Sequence, residues 1–259
     1  TCGGPQSNHA RATAVAAAKL GLKSHLVLRN SVAAQMEGNA FLSRLVGAEV
    51  TNVSAEEYMR IDEVMQRIAD EAREQGHKPY VIPEGGSNEL GVLGYVKAVE
   101  ETLAQLKRSK TKVHHVFVAV GSGGTYAGLL LGKHLFDFSA EIHGINVCDS
   151  ASYFEGRILR LLKETKKRFG LEVSFTKKDL HILDGYVGKG YGLSSQEEID
   201  LIKTIARTEG VVLDPVYTGK AMLGMVDQIR QGRFKAGETL LFFHTGGIYG
   251  LFPKRSLFF

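Results

Sequence analysis

Val113 to Val120 (VHHVFVAV) is a short run, nearly all apolar towards its end, and it stops at Gly121-Ser122-Gly123-Gly124-Thr125. A Val-rich run of this length closed by glycine predicts a strand buried on both faces, as in a parallel sheet covered by helices. The rest of the chain has the same rhythm. Strands are expected at His25–Arg29, Tyr80–Pro83, Glu141–Val147, Val211–Leu213 and Thr239–His244. Helices are expected over 10–20, from about 89 to 107, from 125 to about 134, over 153–169 and from about 217 to 230. Ser54-Ala55-Glu56-Glu57 is a capping box that should open one long helix ending near Gly76, and Ser195-Gln196-Glu197-Glu198 should open another that reaches Glu209. Strand alternating with helix predicts an α/β fold with mostly parallel sheets and helices on both faces. A glycine-rich stretch near residue 90 separates two such blocks. It suggests a smaller domain over 1–90 and a larger one over 91–259.

Composition narrows the function. The 259 residues carry 32 basic and 28 acidic side chains, a net charge of +4, which is too balanced to argue for nucleic acid. The densest basic stretch, Lys163, Lys166, Lys167, Arg168, Lys177 and Lys178, reads as a solvated face, and no aromatic interleaving suggests base stacking. No apolar run approaches the ~18 residues of a membrane helix, and the first residues do not look like a signal peptide. Cys2 and Cys148 have no CxxC spacing, so neither a metal site nor a disulfide framework is expected, and a reducing cytoplasm fits.

Chemistry concentrates in the glycine turn. Glycines let backbone N–H groups converge on an anion, the N-terminus of the following helix favours negative charge, and Ser122 and Thr125 add hydroxyls. Gly121 to Thr125 is therefore expected to cradle a phosphate, against the plainer reading of a tight strand-to-helix turn with no ligand. No P-loop sequence occurs. A dinucleotide fingerprint is half present, with Gly121-x-Gly123 and Glu141 twenty residues on, but its third glycine position holds the bulky Tyr126. A monophosphate fits better. Further Gly and hydroxyl clusters lie at Gly3–His9, Gly85–Asn88, Asp214–Gly219 and His244–Gly247. Each alone is a turn plus a cap; together, at strand ends, they suggest a cleft.

These clusters carry a resemblance. Gly3-Gly4-Pro5-Gln6-Ser7-Asn8-His9-Ala10-Arg11, Pro83-Glu84-Gly85-Gly86-Ser87-Asn88, the turn at 121–125, Gly190-Tyr191-Gly192, the run from Leu213 to Met222 (LDPVYTGKAM) and His244-Thr245-Gly246-Gly247 resemble, in order, the D-cysteine desulfhydrase and 1-aminocyclopropane-1-carboxylate deaminase family. The resemblance implies two open twisted sheets flanked by helices (the tryptophan synthase β-like fold, fold type II) and pyridoxal 5'-phosphate as cofactor. It also implies a small amino-acid substrate, a homodimer, and no nucleic-acid or membrane partner. By position, Gly121, Ser122, Gly123, Gly124 and Thr125 would hold the phosphate, Asn8 the ring hydroxyl, and Thr218 would face the pyridine nitrogen. Gln6 and Ser7 would hold the substrate carboxylate, with Ser7 also moving a proton. Tyr191 and Tyr217 would line the substrate side, while His9 and His244 are expected to be structural. Thr218 stands where the deaminases resemble one another in having Glu. That leans toward α,β-elimination from D-cysteine over opening of the cyclopropane.

One departure stands out. The family's Schiff-base lysine lies in a GGNK-type segment that does not occur in this chain. The expectation is that an N-terminal portion is missing and supplies it, because Lys220 belongs to the family's own YTGK run and Lys19 and Lys23 look exposed. Two other classes stay open: a nicotinamide-dependent oxidoreductase, and a non-catalytic binding module that has lost its lysine.

Overall fold

The structure, a computed structural model, describes residues 1–29 and 37–259. The chain divides into two compact units: Thr1–Gly86 with Ile248–Leu257 and Phe259, and Ser87–Gly247 with Phe258. The C-terminal turns thus belong to the first unit, a return that no single cut of the chain describes.

The first unit contains β1 (Cys2–Gly3), α1 (Asn8–Lys19), β2 (His25–Arg29), α2 (Gly38–Leu45), β3 (Glu49–Val53), α3 (Ala55–Tyr58) and α4 (Ile61–Glu74). Its strands form a parallel sheet in the order β1-β2-β3. Side chains alternate along a strand, and β2 uses both faces. Leu26 and Leu28 pack with Ala10 and Ala14 of α1, whereas Val27 packs with Cys2, Val53 and Met65. The Ser54–Glu57 capping box forms. The helix it opens breaks at Met59–Arg60, so the single long helix expected there is two, α3 and α4. Tyr80–Pro83 has no strand partner. Pro83 has no N–H to give to a ladder, and its carbonyl accepts the Gly86 N–H in a turn. Val81 still packs on the Cys2 and Val27 cluster, which accounts for its apolar character.

The second unit contains α5 (Val92–Ser109), β4 (His115–Val120), α6 (Gly124–Leu135), β5 (Glu141–Asn146), α7 (Ala151–Phe169), β6 (His181–Leu183), α8 (Gln196–Glu209), α9 (Thr218–Arg230) and β7 (Leu240–Phe242). Its sheet is parallel throughout, in the order β6-β5-β4-β7. The run that predicted a two-sided strand is the interior strand β4. Val116, Val118 and Val120 enter the cluster with α5, α6 and α7, while Phe117 and Ala119 enter the cluster with Ala221 of α9. Helix α6 lies unusually close to α5. A Cβ on Gly128 would come within 2.5 Å of Tyr95 Cβ, and one on Gly132 within 2.9 Å of Val99. Val211–Leu213 does not form a strand. The Val212 carbonyl meets the His244 imidazole instead, and Leu213 is buried with Ile202 and Met222.

Succession β4-α6-β5-α7-β6 walks the sheet one way, and β7 returns to the other side of β4. Loops leaving β4 and β7 therefore diverge at the carboxyl edge, the place where open α/β sheets bind ligands. Gly121–Thr125 is the loop leaving β4. Among the described residues no helix is long and apolar enough to cross a membrane.

Candidate functional site

The turn after β4 has the shape of a cradle. Gly123 sits at φ +91, left-handed backbone that only glycine adopts without strain. Gly124 starts α6 and leaves no room for a Cβ, which would lie 2.6 Å from Ser87 Oγ. The first N–H groups of a helix have no intrahelical acceptor. Here Ser87 Oγ accepts the Gly124 N–H at 3.1 Å and pairs with Ser122 Oγ at 2.7 Å. Arg157 of α7 donates Nε–H to the Ser122 carbonyl at 2.8 Å, which pins the loop from outside and puts a cation beside it. No acidic residue occupies the first turn of α6. Glycine backbone, a helix N-terminus, two hydroxyls and a nearby guanidinium form the donor set of a phosphate monoester.

Two of the expected tyrosines meet at this loop. The Tyr217 ring lies against Gly121, where an added Cβ would be 2.9 Å from Cε1. Its hydroxyl is hydrogen-bonded to the hydroxyl of Tyr191, with the rings edge to face at 5.8 Å. Burial, and the Tyr191 hydroxyl beside it, push the Tyr217 phenol well above its ordinary value. Tyr217 therefore keeps its proton at neutral pH.

Thr218, the first residue of α9, is fully buried. Its hydroxyl accepts the Asp214 N–H at 2.8 Å and donates to Asp214 Oδ1 at 2.8 Å. Asp214 in turn accepts the N–H groups of Val216, Tyr217 and Thr218. The threonine hydroxyl would have to leave Asp214 to donate to a ring nitrogen. Lys220 is buried, with Nζ donating to the carbonyls of Val187, Gly190 and Leu193. It ties down the loop that carries Tyr191.

In the first unit, Gln6 and Asn8 gather around Asn39, which is 1% exposed. Asn39 Nδ2 donates to the Gln6 carbonyl and to Asn8 Oδ1, both at 2.9 Å, and Gln6 Oε1 accepts the Asn39 N–H at 2.9 Å. With Oδ1 held, the Asn8 amide presents its nitrogen as donor. Ser7 caps α1, its Oγ accepting the Ala10 N–H at 3.1 Å. No acidic residue lies in the first turn of α1, so this helix start favours an anion. His9 Nε2 pairs with Thr1 Oγ1 at 2.7 Å, and burial pushes its imidazole down to about 4. His244 bridges the Val212 carbonyl and the Gly246 N–H. Both histidines are held in local structure.

The family model described as "Pyridoxal-phosphate dependent enzyme" matches residues 1–246. The chain belongs to this family. A Thermotoga maritima protein named provisionally as a 1-aminocyclopropane-1-carboxylate deaminase is 44% identical, over 98% of this chain and 78% of its own length. The Arabidopsis thaliana protein named bifunctional D-cysteine desulfhydrase/1-aminocyclopropane-1-carboxylate deaminase, mitochondrial, is 41% identical over 98% of this chain and 64% of its own length. The solved structure of an ACC deaminase homologue superposes with a TM-score of 0.88 at 38% identity, covering 99% of this chain and 76% of that one. The fold is accordingly fold type II.

As a pyridoxal-phosphate enzyme, the chain has a turn whose donors fit the cofactor's phosphate, since a left-handed glycine, the Ser122 and Ser87 hydroxyls and Arg157 gather at a helix start that carries no acidic residue. The nicotinamide reading is overturned, by the family match and by position. Glu141 starts β5, opposite His115 at the start of β4, so it lies at the amino edge of the sheet, away from the loop at the carboxyl edge. Tyr126, too large for a dinucleotide fingerprint, fits because Gly144 of β5 yields to it. A Cβ there would be 2.8 Å from the ring.

Sequence reasoning missed Ser87, Arg157 and Asn39 as site residues. Ser87 lay inside a noted glycine cluster and could have been read as a cap for a distant helix. Arg157 and Asn39 had no local signal, because each acts on a loop remote in sequence.

Proposed function

We propose that the protein is a pyridoxal phosphate-dependent lyase that performs α,β-elimination on D-cysteine, giving pyruvate, sulfide and ammonia. The observation that carries the reading is the glycine cradle at the start of α6, with Tyr217 and its partner Tyr191 against it. When bound, the cofactor supplies an electron sink for negative charge at the substrate Cα. The backbone of Gly121 to Thr125, with the hydroxyls of Ser122 and Ser87, would hold the phosphate. Asn8, its carbonyl oxygen fixed by Asn39, would offer an N–H to the ring hydroxyl. Ser7 and Gln6 at the start of α1 hold the substrate carboxylate, and the Ser7 hydroxyl carries a proton. Tyr191 and Tyr217 would shield the leaving group from water, and Tyr217, its phenol held above the ordinary value, would donate to the departing thiolate. Thr218 puts a neutral hydroxyl, engaged by Asp214, at the position where the resemblance gives the deaminases Glu; this favours a substrate with a good leaving group.

The second reading, deamination of 1-aminocyclopropane-1-carboxylate, is favoured by the Thermotoga relative's name. A reducing compartment such as the cytoplasm fits Cys2 and Cys148, which are not joined in a disulfide, and a homodimer completes the proposal.

The test is a product assay on the protein from its whole reading frame, with D-cysteine, L-cysteine and the cyclopropane amino acid side by side. Sulfide from D-cysteine should outpace every other product. Faster keto-acid release from the cyclopropane amino acid would favour the second reading. Cofactor that stays bound with no turnover of any of the three would favour a binding module.

A further inference from the structure

The amino edge of the larger sheet carries a cluster that the proposed chemistry does not use. His115 opens β4 and pairs in register with Glu141, which opens β5. Residues two apart on a strand share a face, so Glu141 and His143 project to the same side as His115. Among the described residues these three form a group able to hold a metal ion. His115 Nδ1 lies 3.1 Å from His143 Nε2, and Glu141 Oε2 lies 3.6 Å from each of those nitrogens. Ligand atoms about 2.0–2.1 Å from a tetrahedral zinc ion stand about 3.3 Å from one another. The three atoms thus already outline one face of such a tetrahedron.

Surrounding contacts orient the ligands. His115 Nε2 faces Glu238 Oε2 at 3.3 Å, and Glu238 is itself held by the Lys235 N–H at 2.8 Å. An imidazole with a carboxylate at Nε2 keeps its proton there, which leaves the Nδ1 lone pair pointing into the cluster. This is the carboxylate–histidine–metal arrangement that sets ring orientation and raises ligand basicity. The His143 ring stacks on Phe117 at 4.8 Å, and Phe234 closes on His115 at 4.6 Å. Two imidazoles are thereby fixed in an apolar wall, while the Glu141 side chain is half exposed and leaves a way in.

We propose that His115, His143 and Glu141, backed by Glu238, bind one divalent transition-metal ion, zinc by the chemistry of the donors, with the fourth position open to water. Two imidazoles and a carboxylate suit zinc better than calcium or magnesium, which prefer all-oxygen shells. The ion would tie β4, β5 and the turn before β7 together. Strand β4 has six residues, and at ~3.3 Å per residue the site lies roughly 20 Å from the phosphate cradle. Its role is structural and separate from the elimination.

The test uses the holoenzyme, dialysed against chelator and titrated with zinc chloride by calorimetry and with cobalt(II) by visible absorption. One ion should bind per chain, cobalt should give intense tetrahedral d–d bands, and zinc should raise the melting temperature. Glu141→Gln, at an exposed position, should fold normally, weaken zinc at least about tenfold and abolish the thermal shift. Glu238→Gln should cost about 10–100-fold in affinity. His115→Gln should remove the cobalt bands; if it does not fold, the Glu141 and Glu238 variants still decide. Glu172→Gln, on an exposed loop, should bind as the unaltered protein does. No saturable binding, or equal affinity and spectrum in Glu141→Gln, would overturn the proposal.

Discussion

Gly124 shows how much depends on the absence of one methyl group. Alanine there would collide with Ser87, including a backbone atom at 3.2 Å, and would push apart the loop's two hydroxyls. A hydrogen bond to a charged group contributes about 1.5–3 kcal/mol, so Gly124→Ala should weaken cofactor binding at least roughly tenfold, measured by absorbance titration with pyridoxal phosphate. Glu198 is a second residue whose surroundings decide its chemistry. Ser195 caps α8 as expected, accepting the Glu198 N–H, but the Glu198 side chain turns inward to Ser194 and is 2% exposed. Burial, partly offset by Lys220, pushes its carboxyl up to about 7 from 4.5. The folded state then binds this proton more tightly than the unfolded chain, so stability falls as pH rises from about 4.5 through 7. Glu198→Gln should flatten that decline in a series of melting temperatures across the window. An unchanged slope would assign it to other groups.

At the scale of elements, helix starts carry most of the proposed site. Ser7 both caps α1 and offers a hydroxyl, and two substitutions separate these roles. Ser7→Ala should cost about 1 kcal/mol through the lost cap, whereas Ser7→Gly should cost only a few tenths. If the hydroxyl also serves the reaction, both variants lose turnover alike in spite of their different stabilities, as denaturant unfolding and kcat together will reveal. One ammonium group gathers three carbonyls of the loop over 187–193. Lys220→Met removes three carbonyl contacts and leaves Glu198 without its counter-charge. The expected outcome is faster hydrogen exchange over 187–193 and a raised KM, because Tyr191 loses its anchor, with cofactor affinity changed far less.

On the scale of the whole molecule, each unit has its own core: Leu26, Leu28, Ala10 and Ala14 in one, and the large cluster around Phe154, Ile158 and Leu129 in the other. Pyridoxal phosphate at 100 times its Kd should stabilise the folded protein by about 2.7 kcal/mol. That gain should appear as slowed exchange over α6, and Gly124→Ala should lose it. The alternation of strands and helices, the interior strand β4 and the glycine turn after it were all legible in the chain. They are local facts, a burial pattern of six residues and a backbone only glycine permits. Tyr80–Pro83 and Val211–Leu213 misled because apolar residues buried under an extended segment look the same whether or not a neighbouring strand supplies hydrogen bonds. Ser87, Arg157 and Asn39 stayed hidden for a related reason. Each completes a loop 31 to 37 residues away, and no local pattern encodes such a pairing. The order of motifs along the chain determined the family, the cofactor and the kind of fold. Only the tertiary structure decided that Lys220 serves a loop 27 to 33 residues away and that His115 shares an edge with Glu141 and His143, because packing and strand register bring together groups that the sequence keeps far apart.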